Sequence, residues 1–248
     1  KMKNLLKLII LTPLRFIKNI LKIIIYEGIP AARRTSPKKP YERFLEDELE
    51  DCYNHFKKYF NDAVFLEKIA LREFALRRAI KNHKTDYYYL EFGVWVGTSI
   101  NFFSKILKDK KIYGFDSFEG LKEDWLGQSD TIGKFNLNKK LPKLNNNCVP
   151  IVGLVQNSLP KFITENKNLK INFVHMDLDT YPSTKFVLSE IKPYLADNAV
   201  ILFDELYNLT GWKVGEYKAL TEVFNENEYK YLAFSKRKYN VAIQYKKI

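Results

Sequence analysis

The run Leu90-Glu91-Phe92-Gly93-Val94-Trp95-Val96-Gly97-Thr98-Ser99, continuing into Ile100 to Leu107, decides the fold. An apolar strand that ends in an acid passes through a G-x-x-x-G turn into a window with helical spacing, the opening of a βαβ unit. In an open α/β sheet the ligand crevice lies beyond the carboxyl ends of the strands, where strand order reverses, and the first strand borders it. Glycines at that point let the chain turn sharply and let a ligand approach the backbone. The N–H groups opening the helix are donors for an anion such as an amino-acid carboxylate. A dinucleotide fold would need G-x-G-x-x-G to seat a pyrophosphate, and Trp95 stands at the middle position, which disfavours NAD.

Outward from this run, short apolar segments at 87–92, 111–115, 149–153, 171–176, 199–203, 229–234 and 239–245 alternate with helical windows at 98–107, 159–165, 183–195 and 214–225. Nearly all-apolar strands alternating with helices predict a parallel sheet covered on both faces, and the short polar link 235–238 predicts a closing antiparallel hairpin. The expected fold is α/β: a doubly wound, Rossmann-like, seven-stranded, mostly parallel sheet with a C-terminal antiparallel hairpin and an N-terminal helical extension. Upstream, 44–60 and 63–80 have helical periodicity and form a helical cap (41–85) on a catalytic unit spanning 41–248.

The formal charge of +12 raises nucleic acid as a partner. Residues 1–43, however, carry eleven Lys/Arg against Glu27 and Glu42, a net +9 that leaves only +3 for the rest. The positive charge therefore belongs to the N-terminal extension, and nucleic acid is not the expected partner. In that extension, residues 3–26 are apolar but interrupted by Lys7, Arg15, Lys18 and Lys22 and broken at Pro13, short of the roughly 20 uninterrupted apolar residues a membrane span requires. Such a pattern suits a segment at the surface of an anionic membrane. It equally suits a helix packed on the body or on a second copy of the chain, so a homo-oligomer is a candidate assembly. Residues 31–40 are basic and proline-punctuated and read as a linker that closes an N-terminal segment of 1–40. Cys52 and Cys148 are far apart without a metal-ligand spacing, which fits a reducing cytoplasm, with the N-terminal segment placing the chain peripherally at the inner membrane face.

Asp116 follows the second strand about twenty residues after Gly93, where an acid can accept hydrogen bonds from both ribose hydroxyls. With the glycine turn it predicts an adenosyl ligand that lacks phosphates. Asp177 and Asp179 end the fourth strand, Asp204 and Glu205 the fifth. If those strands are neighbours, their carboxylates converge, and a bound cation is the natural neutraliser; an all-oxygen set suits Mg2+. The bland alternative is that Asp177 or Asp204 only caps the following helix.

Gly114-Phe115-Asp116-Ser117-Phe118-Glu119-Gly120-Leu121 resembles the signature of the macrocin-type S-adenosylmethionine-dependent sugar O-methyltransferase family, class I methyltransferases. Further similar stretches follow in order: Gly133-Lys134-Phe135, then 153–160 (GLVQNSLP), the segment from His175 to Tyr181, Asp204, and 211–219 (GWKVGEYKA). The resemblance implies S-adenosylmethionine bound by Glu91, Gly93, Gly97, Thr98, Asp116, Ser117, Phe118, Gly153, Leu154 and Asp177. It implies Mg2+ on Asp177, Asp204 and Glu205, and Asp179 as general base, with His175 the second candidate. The implied substrate is a sugar hydroxyl or related small molecule, including a surface-glycan precursor. Two other readings of the same fold are a nucleic-acid methyltransferase and a catalytically inactive membrane-associated scaffold.

Overall fold

The computed structural model describes residues 38–84 and 87–248. The chain divides into two units, Lys1–Arg43 and Phe44–Ile248, and the second carries the sheet. The expected surface-associated segment at 3–26 lies outside the described residues.

Eight strands form one sheet: β1 (Val64–Leu66), β2 (Tyr87–Phe92), β3 (Ile112–Asp116), β4 (Cys148–Val152), β5 (Lys170–Met176), β6 (Leu195–Phe203), β7 (Tyr229–Ser235) and β8 (Val241–Tyr245). Their spatial order is β1-β7-β8-β6-β5-β2-β3-β4. All neighbouring strands run parallel except the two pairs made by β8, which are antiparallel. The helices are α1 (Pro40–Phe56), α2 (Lys68–Lys81), α3 (Thr98–Leu107), α4 (Val155–Glu165), α5 (Tyr181–Ile191) and α6 (Glu216–Val223). From β2 the chain winds outward through β3 and β4, then returns to place β5 on the other side of β2. The strand order therefore reverses between β2 and β5, and their carboxyl ends frame the crevice.

The sheet is the expected one with one strand added. The window 63–80 splits, because Val64, Phe65 and Leu66 pair in parallel with Ala233, Phe234 and Ser235 at the sheet edge, and α2 begins only after Glu67. Three bulky apolar residues beside an open edge gain ladder hydrogen bonds that a frayed first helical turn would not give them.

Side chains alternate between two buried layers. Along β6, Ile201 and Phe203 pack with the layer that holds Phe92, Phe115 and Met176, while Val200 and Leu202 pack with the layer that holds Phe173, α2 and α3. The same period turns Glu91, between Leu90 and Phe92, and His175, between Val174 and Met176, towards the α2 and α3 side. The two are register partners on adjacent strands and both are fully buried.

Candidate active site

The turn after β2 is built around Asp116. One carboxylate oxygen accepts the backbone N–H groups of Val94 (2.9 Å) and Trp95 (2.7 Å), and the other accepts that of Phe118 (2.7 Å). An ionised carboxylate has about four lone-pair directions, so three are spent on the protein and about one remains for a ribose hydroxyl, fewer than the pair of contacts the sequence suggests. This fixing of the turn holds Trp95 at a φ of 44°, which is unusual for a tryptophan, with its ring half-exposed and edge-on to Phe135 at 5.3 Å. Gly93 has a φ of 87° and lies against the backbone of Asp177, whose own N–H donates to the carbonyl of Phe92. β2 and β5 are thus locked together at the mouth of the crevice.

Around the carboxyl ends of β5 and β6 the chain gathers six acids, Glu91, Asp177, Asp179, Asp204, Glu205 and Glu216, and three cations, Lys68, Arg72 and His175. The cations are not evenly shared. Asp204 Oδ1 accepts from Arg72 Nη2 (2.8 Å) and Asn240 Nδ2 (2.5 Å), and His175 Nε2 lies 3.4 Å away; Oδ2 accepts from Lys68 Nζ (2.7 Å). Burial works against the charge on Asp204, but His175, Arg72 and Lys68 overcome it and hold this carboxyl well below its usual range. Burial also opposes charge on His175, yet hydrogen bonding to Asp204 and Glu91 pushes its pKa up to about 9. Its Nδ1 faces Glu91 Oε2 at 3.3 Å.

Asp177, Asp179, Glu205 and Glu216 lack a close counter-charge: Asp177 comes no nearer than 3.9 Å to Arg72 Nη2 and 4.0 Å to His175 Nε2. Enclosure, then the neighbouring charge of Asp204, pushes Asp177 up to about 7. Enclosure and Asp177 push Asp179 up to about 8. Glu205 and Glu216 are raised well above the carboxylate range, by burial first and then by Asp204. Oxygens of Asp177, Asp179 and Glu205 all lie within 4.8 Å of one another. Glu205 Oε2 is buried without a hydrogen-bond partner, and Glu216, which accepts the backbone N–H of Glu205 at 2.8 Å, has a second oxygen in the same condition. Three acids in surplus over the nearby cations, in an all-oxygen set with one oxygen unspent, are what a hard divalent cation would ionise and satisfy.

Lys68, Arg72, Asp177, Asp179, Asp204 and Glu205 line one cavity of about 840 Å³, large enough for a nucleoside-sized ligand together with a small acceptor. Of the residues expected to contact the cofactor, Gly93, Thr98, Asp116, Ser117, Gly153, Leu154 and Asp177 lie on its wall, as do Asp179, Asp204 and Glu205. Four expected residues do not. Glu91 faces the interior, accepting from Ser99 Oγ (2.8 Å), because strand alternation turns it away from the crevice. His175 lies behind Asp204 with both ring nitrogens facing carboxylates, so it cannot take a proton from a ligand in the cavity. Phe118 is a core residue, 1% exposed. Gly97 serves the turn itself: a Cβ there would meet Leu144 at 2.8 Å. Asp204 reaches the cavity paired with Lys68 and Arg72, and one of its oxygens also lies within 4.8 Å of ligand atoms of His175 and Asp177.

Lys68, Arg72 and Asn240 are participants outside every motif, and Glu216 stands inside the 211–219 stretch without a role implied for it. A signal existed for the first two: Lys and Arg four residues apart share a helix face, here on α2, whose other exposed positions are already rich in charge.

The fold agrees with that of known methyltransferases. A family model described as a methyltransferase domain matches residues 90–206, the span from the glycine turn to the acids after β6. The chain carries a methyltransferase domain. Among solved structures, this methyltransferase is similar to CalS11, the calicheamicin methyltransferase, with a TM-score of 0.60 and 20% identity over 92% of this chain and 90% of that one. It is also similar to the apo structure of CalS11, described as a TDP-rhamnose 3'-O-methyltransferase (TM-score 0.54, 20% identity, 92% of each chain). The O-methyltransferase NovP is a third neighbour (TM-score 0.53, 17% identity, 73% of this chain and 80% of that one). At these identities the likeness is one of fold. No curated protein matches the sequence significantly. Among the described residues, no helix of the methyltransferase is long and apolar enough to cross a membrane.

Proposed function

We propose that this methyltransferase moves the methyl group of S-adenosylmethionine to a hydroxyl of a sugar or a similarly polyhydroxylated small molecule, with a divalent cation of the Mg2+ type in the acid cluster. The observation that carries the reading is the meeting, in one cavity, of the glycine turn with three uncompensated acids, Asp177, Asp179 and Glu205. Support for a sugar acceptor comes from the fold shared with CalS11, described as a TDP-rhamnose 3'-O-methyltransferase. Support against a nucleic-acid substrate is the modest charge of the chain outside residues 1–43.

Gly93, pressed against Asp177, shapes the turn beside which the amino-acid part of the cofactor would lie, Asp116 would receive a ribose hydroxyl, and Leu154 and Val155 would face the adenine. Asp177, Asp179 and Glu205 would hold the cation, which supplies Lewis acidity that lowers the pKa of a bound hydroxyl. Asp179, on the cavity wall, would take the hydroxyl proton through the carboxylate oxygen not turned to the cation. The oxygen lone pair forms the new C–O bond as the C–S bond breaks, and sulfur keeps that electron pair, leaving neutral S-adenosylhomocysteine. Trp95 and Phe135 close one side of the cavity and keep water from the methyl group.

The test is S-adenosylhomocysteine formation by the full chain with S-adenosylmethionine and Mg2+, offered nucleotide-activated sugars, simple catechols and RNA in parallel. Acceptor-dependent turnover with a sugar, lost in chelator and restored by Mg2+, is the expected result. Turnover with RNA alone would overturn the acceptor class, and undiminished turnover in chelator would remove the metal.

A further inference from the structure

Asp204 is held asymmetrically. Its Oδ1 is saturated by buried groups: Arg72, which is 7% exposed, Asn240, and His175 behind them. Its Oδ2 has one strong donor, Lys68 Nζ at 2.7 Å, on a side chain that is 34% exposed and lies on the cavity wall. Lys68 is the first residue of α2, where the helix dipole disfavours a cation, so local helix energetics do not explain a lysine there. Asp204 does. Asp177, the central member of the acid cluster, comes directly after β5, the strand adjoining β6, and shares Arg72 with Asp204, lying 3.9 Å from it.

We infer that the Lys68 ammonium is a built-in competitor of the divalent cation, holding Asp204 Oδ2 while the acid cluster has no metal and giving it up when a metal enters. A flexible four-carbon stem with a compact charge can leave its partner at little cost, whereas the buried guanidinium of Arg72 stays fixed on Oδ1. Asp204 then changes from the partner of a lysine into an additional oxygen facing the cation, and Lys68 becomes a free ammonium on the cavity wall. The inference holds only if the acid cluster takes a divalent cation.

Two measurements on the full chain test it, with Mn2+ as the probe. In wild-type protein, acetylation of the Lys68 amine, followed by mass spectrometry, should accelerate as Mn2+ saturates, while distant exposed lysines such as Lys161 stay constant. In Lys68→Met, Mn2+ should bind at least about fivefold more tightly than in wild type, the equivalent of losing an ion pair of about 1 kcal/mol. An unchanged Lys68 labelling rate at saturating Mn2+ would overturn the inference while leaving the metal site standing, and so would equal Mn2+ affinity in a folded Lys68→Met variant. Failure of wild-type protein to bind Mn2+ at all would remove the metal reading and this inference with it. Labelling uses the unmodified chain, so it decides the matter even if Lys68→Met does not fold.

Discussion

A Cβ placed on Gly93 would lie 1.7 Å from the backbone carbonyl oxygen of Asp177. Backbone cannot yield as a flexible side chain can, and the φ of 87° adds strain for any L-residue. Gly93→Ala should therefore part β5 from β2 at the crevice and lower stability by about 3 kcal/mol or more. Urea unfolding monitored by tryptophan fluorescence measures this, and S-adenosylhomocysteine binding should vanish at the same time. A variant within about 1 kcal/mol of wild type would mean that the two strands can separate without cost.

Asp116→Asn tests a different use of the same turn. The amide keeps one acceptor oxygen and gains an NH2, which would face the N–H groups of Val94 and Trp95 or that of Phe118. A like-facing donor pair costs about 1–3 kcal/mol, so the melting temperature should fall by several degrees. Affinity for S-adenosylhomocysteine should fall by at least about tenfold, because Trp95 loses its fixed position and the ribose loses a charged acceptor. Calorimetric titration gives the second number, and unchanged affinity would place the ribose elsewhere.

Much of this site is legible in sequence because its chemistry is local. G-x-x-x-G after an apolar strand marks the crevice at Gly93, and acids that close apolar strands, Asp177 and Asp204, must surface at its edge once the sheet is parallel. What stays hidden depends on distance and on strand facing. Lys68 and Arg72 reach Asp204 across 136 and 132 residues, and no periodicity records such a meeting. Glu91 has the right residue type in the right motif, but its direction follows from alternation with Leu90 and Phe92 and from its register with His175, which only the assembled sheet fixes. The short β1 was masked by helical spacing that runs on through it.

The uncompensated acids give the metal-free protein a definite pH dependence. Asp177 and Asp179 have folded pKa values of about 7 and about 8, far above those of unfolded aspartates, and Glu205 is raised in the same direction. A raised folded pKa means that the folded state holds its proton more tightly, so this stabilisation is complete below the unfolded pKa near 4 and is lost as pH rises through 7 and 8. His175, with a folded pKa of about 9, loses stabilisation in the same direction over the upper part of that range. In chelator, the protein should melt several degrees higher at pH 6 than at pH 8.5, and Mg2+ should recover most of the difference. Glu205→Gln should flatten the chelator profile. A melting temperature that rises with pH in chelator would show that these acids are compensated by groups not identified in the cavity.

Arg72 and Asp204 form the buried ion pair on which the rest of the cluster leans, at 2.8 Å and with both side chains less than a tenth exposed. Removing one member leaves the other charged and desolvated, which costs about 3–5 kcal/mol. Arg72→Met should approach that loss, because Asp204 would retain only Lys68, Asn240 and a distant His175. Asp204→Asn should also destabilise strongly, since it removes the charge shared by Arg72, Lys68 and His175. The double variant should lose clearly less than the sum of the singles, since neither partner is then left alone, and the coupling should reach about 2 kcal/mol in a double-mutant cycle. Strict additivity would mean that Arg72 and Asp204 act independently, and that Asp204 owes its low pKa to Lys68 and His175 alone.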